Sequence, residues 1–173
     1  ADLWSSVCAL GDGRLASGSW DKRIRIWDLN KGGEHVQTRT GHIGTVTSLC
    51  ALGDGRLASG SWDRMIRIWD LNKGGEHVQT LTGHADIVSS VCALGDGRLA
   101  ARYWDDVSRV CGLSRGGEHV QKRTGHVGTV TSRCALGDGR VAVGEWDRTI
   151  GVGGSDKGGD HVQKDCGHTA AIA

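Results

Sequence analysis

The sequence predicts an all-β protein made of four repeated antiparallel sheets. The segment CALGDGRLASGSWD begins at Cys8 and recurs almost unchanged 42 residues later. Two more divergent copies follow at the same spacing, so that the copies begin at Cys8, Cys50, Cys92 and Cys134. A fixed period of this length is typical of proteins that stack one structural unit several times. The repeats fill nearly all of the 173 residues, which predicts a single domain over 1–173.

Each unit contains four short strands, as the second copy shows. Residues 45–52 (TVTSLCAL) form an apolar strand, and a Gly-Asp-Gly hairpin turn joins them to a second strand at 57–62. Residues 65–71 (MIRIWDL) alternate with a period of two, as a third strand would. The fourth strand, 76–82 (EHVQTLT), is more polar. No segment has helical periodicity, so the unit is predicted to be an up-and-down antiparallel sheet.

Such a sheet cannot bury both of its faces alone, so the copies are expected to cover one another. A ring of twisted sheets removes the exposed ends that an open stack would leave. The apolar first strand suits the axis of the ring, and the polar fourth strand suits its rim. The repeat boundaries then fall near the Gly-His pairs, giving sheets at approximately 1–41, 42–83, 84–125 and 126–167.

Charge and hydropathy exclude several classes of partner. The chain has 21 basic and 20 acidic residues with both signs interspersed, so neither nucleic acid nor an anionic membrane is an expected partner. No apolar run approaches the ~20 residues of a membrane span, and residues 1–7 lack the features of a signal peptide. A cytoplasmic or otherwise intracellular location is therefore predicted.

No repeated residue type points to a metal or a cofactor. The four repeat-equivalent cysteines are expected to be small buried hydrophobes with reduced thiols, and no Cys-x-x-Cys pair indicates zinc. The Gly-Asp-Gly segments lack the following helix of a phosphate loop and the dense carboxylates of a calcium loop. One histidine per unit lies on the fourth strand, where it is expected to be solvated and too far from the others to share a metal: His35, His77, His119 and His161.

These motifs together resemble the WD-repeat β-propeller family. The chain combines a Gly-His pair, an apolar strand, Asp-Gly, Ser-Gly-Ser-x-Asp and Ile-Arg-Ile-Trp-Asp at a constant period. The Trp-Asp pairs at 27–28 and 69–70 recur in register with Gly-His at 41–42, 83–84, 125–126 and 167–168. The resemblance covers essentially the whole chain. It implies a β-propeller built from four 42-residue WD-type blades.

The resemblance also implies a buried hydrogen-bond network in each blade. The second repeat matches the family pattern fully, with His42, Ser59, Asp63 and Trp69. These groups can satisfy one another, because Trp donates, Asp accepts, and Ser and neutral His do both. The alternative is a hydrolase triad of Ser, His and Asp. These positions belong to the repeating pattern and are expected to lie in the packed interior, and no nucleophile elbow is present, so no enzymatic activity is predicted.

The first repeat has Ser17, Asp21 and Trp27 but no histidine before them. Gly167-His168 aligns with Gly41-His42, so His168 is predicted to complete the network of the first blade. It would do so within one chain, or from a second chain in a homodimer that forms an eight-bladed, two-fold ring.

The third and fourth repeats have lost parts of the network. Ala101 and Cys111 replace the Ser and Trp in the third, and Val143 and Gly153 replace them in the fourth. Because the remaining His and Asp have fewer partners, these blades are expected to open before the first two.

A tryptophan directly before the turn Asp recurs in all four units, at Trp20, Trp62, Trp104 and Trp146. By the resemblance these residues share one rim, where exposed aromatic side chains would mark a binding surface. Packing of each indole over the neighbouring loop is the alternative. The predicted function is a non-catalytic scaffold for protein–protein contacts. The rival prediction is a carbohydrate-binding propeller whose tryptophans stack on sugar rings.

Overall fold

The computed structural model describes residues 4–74, 77–94, 97–104 and 108–113, and beyond these the backbone of strands between 119 and 165. Trp146 and His168 lie outside the described residues. The chain divides into two compact units, Ala1–Val91 and Cys92–Ala173.

The first unit contains two complete sheets, and both follow the up-and-down order predicted from the repeat. The strands of the first sheet are β1 Trp4–Ala9, β2 Arg14–Ser19, β3 Ile24–Asp28 and β4 Glu34–Arg39. Those of the second sheet are β5 Val46–Ala51, β6 Arg56–Ser61, β7 Ile66–Asp70 and β8 Gln79–Leu81. Every pairing between consecutive strands is antiparallel.

The later strands continue the same order. A third sheet comprises β9 Val88–Ala93, β10 Arg98–Tyr103, β11 Ser108–Gly112 and β12 His119–Arg123. A fourth comprises β13 Val130–Ala135, β14 Arg140–Glu145, β15 Ile150–Gly154 and β16 Gln163–Asp165. The predicted all-β class with four-stranded antiparallel sheets is confirmed.

The register of strand pairing repeats with the sequence. Gly18 pairs with Ile24 in the first sheet, and Gly60 pairs with Ile66 in the second. The sequence did not predict a short 3₁₀ turn over Leu29–Lys31, between β3 and β4. It forms because the Asp28 carboxylate accepts a hydrogen bond of 3.0 Å from the Asn30 backbone N–H, which is a typical helix cap.

The core of the first unit lies between its two sheets. The buried side chains are Ala16, Ile24 and Ile26 of the first sheet and Val46, Leu49, Leu57, Trp69 and Leu71 from the second. Four consecutive residues of β7, from Ile66 to Trp69, are buried, so both faces of this strand are covered. The alternating pattern therefore marks two different interior surfaces and not an inside and an outside.

Hydroxyl side chains of the first strand of one sheet bond the backbone of the first strand of the next. Ser6 Oγ accepts from Leu49 N at 3.0 Å, and Ser48 Oγ accepts from Val91 N at 3.1 Å. Ser5 Oγ likewise donates to the Val46 carbonyl. These bonds recur at the period of the sequence. They join neighbouring sheets through their backbones, independently of the apolar core.

The cysteine prediction needs a correction at Cys8 and Cys50, which are only half-buried. The Cys8 thiol is also not a simple hydrophobe, because its Sγ accepts a hydrogen bond of 3.2 Å from Ala51 N. Burial raises the pKa of Cys8 despite this bond. Cys92 and Cys111 are buried, and none of these four described cysteines is in a disulfide. The Cys134 side chain and Cys166 lie outside the described residues.

No helix among the described residues is both long and apolar enough to cross a membrane. No cluster of three or more His, Cys, Asp or Glu side chains there could hold a metal ion.

Candidate functional site

Exposed aromatic side chains lie on the turns that join the second and third strands of the first two sheets. We call residues 20–23 and 62–65 together the tryptophan edge. Each turn begins at Trp20 or Trp62 and is closed by the Asp that follows. Asp21 Oδ1 accepts from Arg23 N, and Asp63 Oδ1 accepts from Met65 N, both at 3.0 Å. The Asp thus fixes the backbone of each turn, and the Trp before it projects its indole from that turn.

Trp20 and Trp62 contact each other across the two sheets. Their ring centroids are 5.9 Å apart and their planes are tilted by 46°. The indoles are nevertheless 52% and 45% exposed. The rings therefore touch each other and also face solvent, and the predicted binding surface stays a prediction. In the second unit, Trp104 is 63% exposed, while Trp146 lies outside the described residues.

The third residue of each turn is cationic and has a left-handed backbone. Lys22 has a φ of 68° and Arg64 a φ of 67°. A positive φ is uncommon for residues other than glycine, asparagine and aspartate. Sequence reasoning missed these two residues, although the tight turn after each Trp-Asp pair was a signal that a left-handed position was needed.

The predicted network residues of the second sheet lie within hydrogen-bond distance of one another. His42 Nδ1 is 2.7 Å from Asp63 Oδ2, and His42 Nε2 is 2.7 Å from Ser59 Oγ. Trp69 Nε1 donates to the same Ser59 Oγ at 2.7 Å. With a neutral His42, Nδ1–H donates to Asp63 and Ser59 donates to Nε2. Every polar group in this sequence of contacts is then satisfied.

The electrostatics of the network favour an ionised Asp63. Burial alone would raise the pKa of Asp63, but hydrogen bonds from His42 and from the backbone N–H groups of Ile43 and Met65 outweigh it. The pKa of Asp63 is consequently lowered. Arg67 Nη1 also lies 3.3 Å from Asp63 Oδ2, a contact that sequence reasoning missed. Asp63 therefore links three segments: the loop before β5 that carries His42, its own turn, and strand β7 through Arg67.

This geometry cannot support nucleophilic catalysis at Ser59. The Ser59 side chain is fully buried, and its Oγ contacts both His42 and Trp69. A serine nucleophile must reach a substrate carbonyl, which a hydroxyl enclosed in this way cannot do. The His, Ser and Asp side chains act here as structural hydrogen-bonding groups.

The first sheet holds part of the same network. Trp27 Nε1 donates to Ser17 Oγ at 2.8 Å, and Asp21 forms an ion pair of 2.7 Å with Arg25. Ser17 Oγ also lies 3.4 Å from the Arg25 carbonyl. The predicted contribution of His168 to this sheet falls outside the described residues.

The third sheet lacks the Ser and the Trp of the network. Ala101 and Cys111 are buried where the second sheet has Ser59 and Trp69. Tyr103 is also buried, and the Arg109 guanidinium lies over its ring, 4.6 Å from the centroid. Burial raises the pKa of the Cys111 thiol to about 11, against a lowering effect of Arg109. A cation–π contact therefore joins the same two strands, β10 and β11, that lack the Ser and Trp.

The fourth-strand histidines correct a sequence prediction. His35 packs edge-on against Trp27 with ring centroids 5.4 Å apart, and His77 packs in the same way against Trp69 at 5.5 Å. His35 is exposed, but His77 is half-buried. These side chains cover the network tryptophans and are not merely solvated. Nothing is described of the His119 side chain or of His161.

The Gly-Asp-Gly turns lie at the other end of the strands from the tryptophan edge. A cleft of about 380 Å³ lies between the turns of the first and second sheets, with Leu10, Ala51 and Leu71 in its lining. Its charged groups already form pairs, Asp12 with Arg14 and Asp54 with Arg56, each at 2.6 Å. Glycine at these turns has a positive φ, as a hairpin requires. The cleft offers no set of converging polar groups for a ligand.

Comparison with known proteins agrees with the repeat architecture. A search of curated proteins found no match. The family described as WD domain, G-beta repeat matches residues 4–28, 33–70 and 75–110, which together make up more than half of the chain. These segments carry the Trp-Asp turns and the buried network described above. The chain therefore belongs to the WD domain, G-beta repeat family.

Proposed function

We propose that this protein is a non-catalytic WD-repeat propeller that binds a protein partner at the tryptophan edge. Its blades would correspond to the predicted repeats at approximately 1–41, 42–83, 84–125 and 126–167. The observation that carries the proposal is the contact between Trp20 and Trp62, whose indoles remain about half exposed. Two adjacent, exposed indoles form an apolar surface of a kind that is enriched at the centres of protein interfaces.

The rigidity of this surface supports the proposal. Each indole sits at the start of a turn closed by an Asp, and Trp62 N also donates to the Thr45 carbonyl at 3.0 Å. In the second sheet the turn Asp is bonded to the buried His42. Side chains held in this way lose little conformational entropy when a partner binds, which favours affinity.

The test is a quantitative pull-down from cell extract with the full chain and the double variant Trp20→Ser/Trp62→Ser. We expect specific partners of the wild type to be lost from this variant. The matched control is Val36→Ser/Val78→Ser, which removes two exposed, repeat-equivalent apolar side chains of the fourth-strand region. Partners that both variants retain would contradict the proposed use of the tryptophan edge.

Carbohydrate binding by the same tryptophans is the rival function, and the same variant tests it. A glycan array would then show binding by the wild type that is lost from Trp20→Ser/Trp62→Ser. No specific observation in the described residues favours it. We expect the array to be negative, and a positive result would replace the scaffold function.

A further inference from the structure

The tryptophan edge carries a surplus of exposed positive charge. Lys22, Arg23 and Arg64 are exposed and lie within three residues of Trp20 or Trp62. Among the described residues, none of these three side chains forms an ion pair. The indole pair is thus flanked by cations from two sheets.

The acidic residues of the same turns do not neutralise these cations. Asp21 pairs with Arg25 at 2.7 Å, and Asp63 is enclosed with His42 and Arg67. Both carboxylates are therefore already engaged within their own sheets. Asp86, in the loop before β9, is half-buried and accepts a hydrogen bond of 2.7 Å from Ile87 N. The surplus positive charge at the turns is available to a partner.

The backbone conformation of two of these cationic residues also supports a binding role. Lys22 and Arg64 occupy left-handed positions, with φ of 68° and 67°, where glycine would be relaxed. Long side chains at such positions are retained against a local conformational cost, and strain of this kind clusters at binding sites. The equivalent position of the sequence holds Asp106 in the third repeat and Arg148 in the fourth, so a cation at this position is shared by the first, second and fourth repeats.

We infer that the tryptophan edge binds an acidic peptide segment of a protein partner, with an apolar residue of that segment against Trp20 and Trp62. The inference rests on the proposed scaffold function and names the chemistry of its partner. Carboxylates of the segment would pair with Lys22, Arg23 and Arg64, and the indoles would bury the apolar anchor. Charge complementarity of this kind gives specificity and speeds association.

The test measures binding of short fluorescein-labelled peptides to the full chain by fluorescence anisotropy. An acidic peptide of Asp, Glu and Leu is compared with peptides in which Gln or Lys replaces every acidic residue. We expect the acidic peptide to bind at least about tenfold more tightly than the Gln peptide, and the Lys peptide to bind most weakly. Added salt should weaken binding of the acidic peptide more than binding of the other two peptides, because salt screens exposed charges.

The decisive variant is Lys22→Gly/Arg64→Gly. Glycine suits the left-handed backbone, so this change removes two cations without disturbing the turns. We expect this variant to weaken binding of the acidic peptide about tenfold or more and to leave binding of the Gln peptide unchanged. The control is Lys31→Gly/Lys73→Gly, which removes two exposed, repeat-equivalent lysines at the other end of the strands.

Two results would overturn the inference. Equal binding of the acidic and Gln peptides, or acidic-peptide binding that survives Lys22→Gly/Arg64→Gly, would show that the cations do not select the partner. If partners were still lost from Trp20→Ser/Trp62→Ser, the scaffold function would stand and only the acidic partner would be wrong. Loss of no partner from the tryptophan variant would instead refute the scaffold function itself.

Discussion

Ser59 connects the two halves of the buried network, because its hydroxyl contacts both His42 and Trp69. We expect Ser59→Ala to lower the free energy of unfolding by about 1–3 kcal/mol, since it leaves buried polar groups without a partner. The matched variant is Ser17→Ala in the first sheet, where Trp27 is only half-buried. Its expected loss is about 1 kcal/mol or less. Urea denaturation of both variants gives the comparison, and equal losses would contradict it.

Asp63 predicts a dependence of stability on pH. Its pKa in the folded chain lies below its usual value of about 3.9, so its ionised form stabilises the fold above about pH 4. This contribution is lost as the pH falls from about 4 toward the lowered pKa. We expect a steeper acid loss of stability in the wild type than in Asp63→Asn.

The measurement is urea denaturation of both proteins at a series of pH values. Asp12 and Asp54 also have lowered pKa values, because Arg14 and Arg56 donate hydrogen bonds to them. Those groups are present in both proteins, so the difference between the two curves isolates Asp63. Parallel curves would show that Asp63 does not stabilise the folded state in the way described.

At the scale of the element, close contact between sheets requires glycine on the second strand. A Cβ added to Gly60 would lie 2.6 Å from Val88 Cγ1, and one added to Gly18 would lie 2.7 Å from Val46 Cγ1. We expect Gly60→Ala to destabilise the chain by about 1–3 kcal/mol through overpacking. Gly74→Ala, at an exposed turn with nothing within 4 Å, should change stability by less than about 0.5 kcal/mol. Thermal denaturation distinguishes the two, and similar values would contradict close packing at Gly60.

The third sheet gives a second prediction at this scale. Strands β10 and β11 should exchange backbone amide hydrogens faster than β6 and β7, because Ala101 and Cys111 have replaced two network members. The Arg109–Tyr103 contact should recover part of the loss. Native-state hydrogen exchange measures the difference directly. Equal protection would mean that the replacement is fully compensated.

The sequence predicted strands more reliably than contacts. The expected strands at 45–52, 57–62 and 65–71 agree with β5, β6 and β7 to within one residue, because turn residues bracket each apolar run. It did not reveal that both faces of β7 are covered, since alternation describes one strand and not what packs on either side. The network residues were recognised through a motif, whereas the role of Arg67 depends on a long side chain whose direction a motif does not record.

The tryptophan edge was also only partly predictable. Repetition of Trp before Asp indicated equivalent turns, but the contact between Trp20 and Trp62 depends on how far neighbouring sheets are rotated. The left-handed Lys22 and Arg64 could not be read from residue type, because lysine and arginine rarely adopt that backbone.

At the scale of the whole molecule, the first sheet has a face whose equivalent in the second sheet is covered. Val7 and Leu29 are 57% and 56% exposed, whereas their counterparts Leu49 and Leu71 are 7% and 4% exposed. The second sheet gains this protection by packing on the first. Another sheet could protect Val7 and Leu29 in the same way. It would need to present to them the kind of face that the first sheet presents to the second.

We expect that cover in a head-to-tail homodimer, with His168 reaching the network of Ser17. Light scattering should then give about twice the chain mass of 18.3 kDa. The variant His168→Ala should lower both the mass measured by light scattering and the midpoint of thermal unfolding, because it removes a group from the expected contact between the two chains. A wild-type mass near 18.3 kDa would exclude the dimer, and an unchanged His168→Ala would exclude that histidine from the contact.

The bonds from Ser6 to Leu49 and from Ser48 to Val91 have a consequence for how such a chain can change in length. In the described residues, the first and second 42-residue units each carry an acceptor hydroxyl for the unit after them, and the second and third units supply the backbone donors. A tandem duplication of the coding segment therefore copies a complete joint along with the sheet. Gain or loss of a whole unit keeps such bonds intact, whereas an insertion or deletion within a bonded strand shifts its hydroxyl or its donor out of register. Selection on such a gene would accordingly tolerate changes in unit number far better than shifts within a unit.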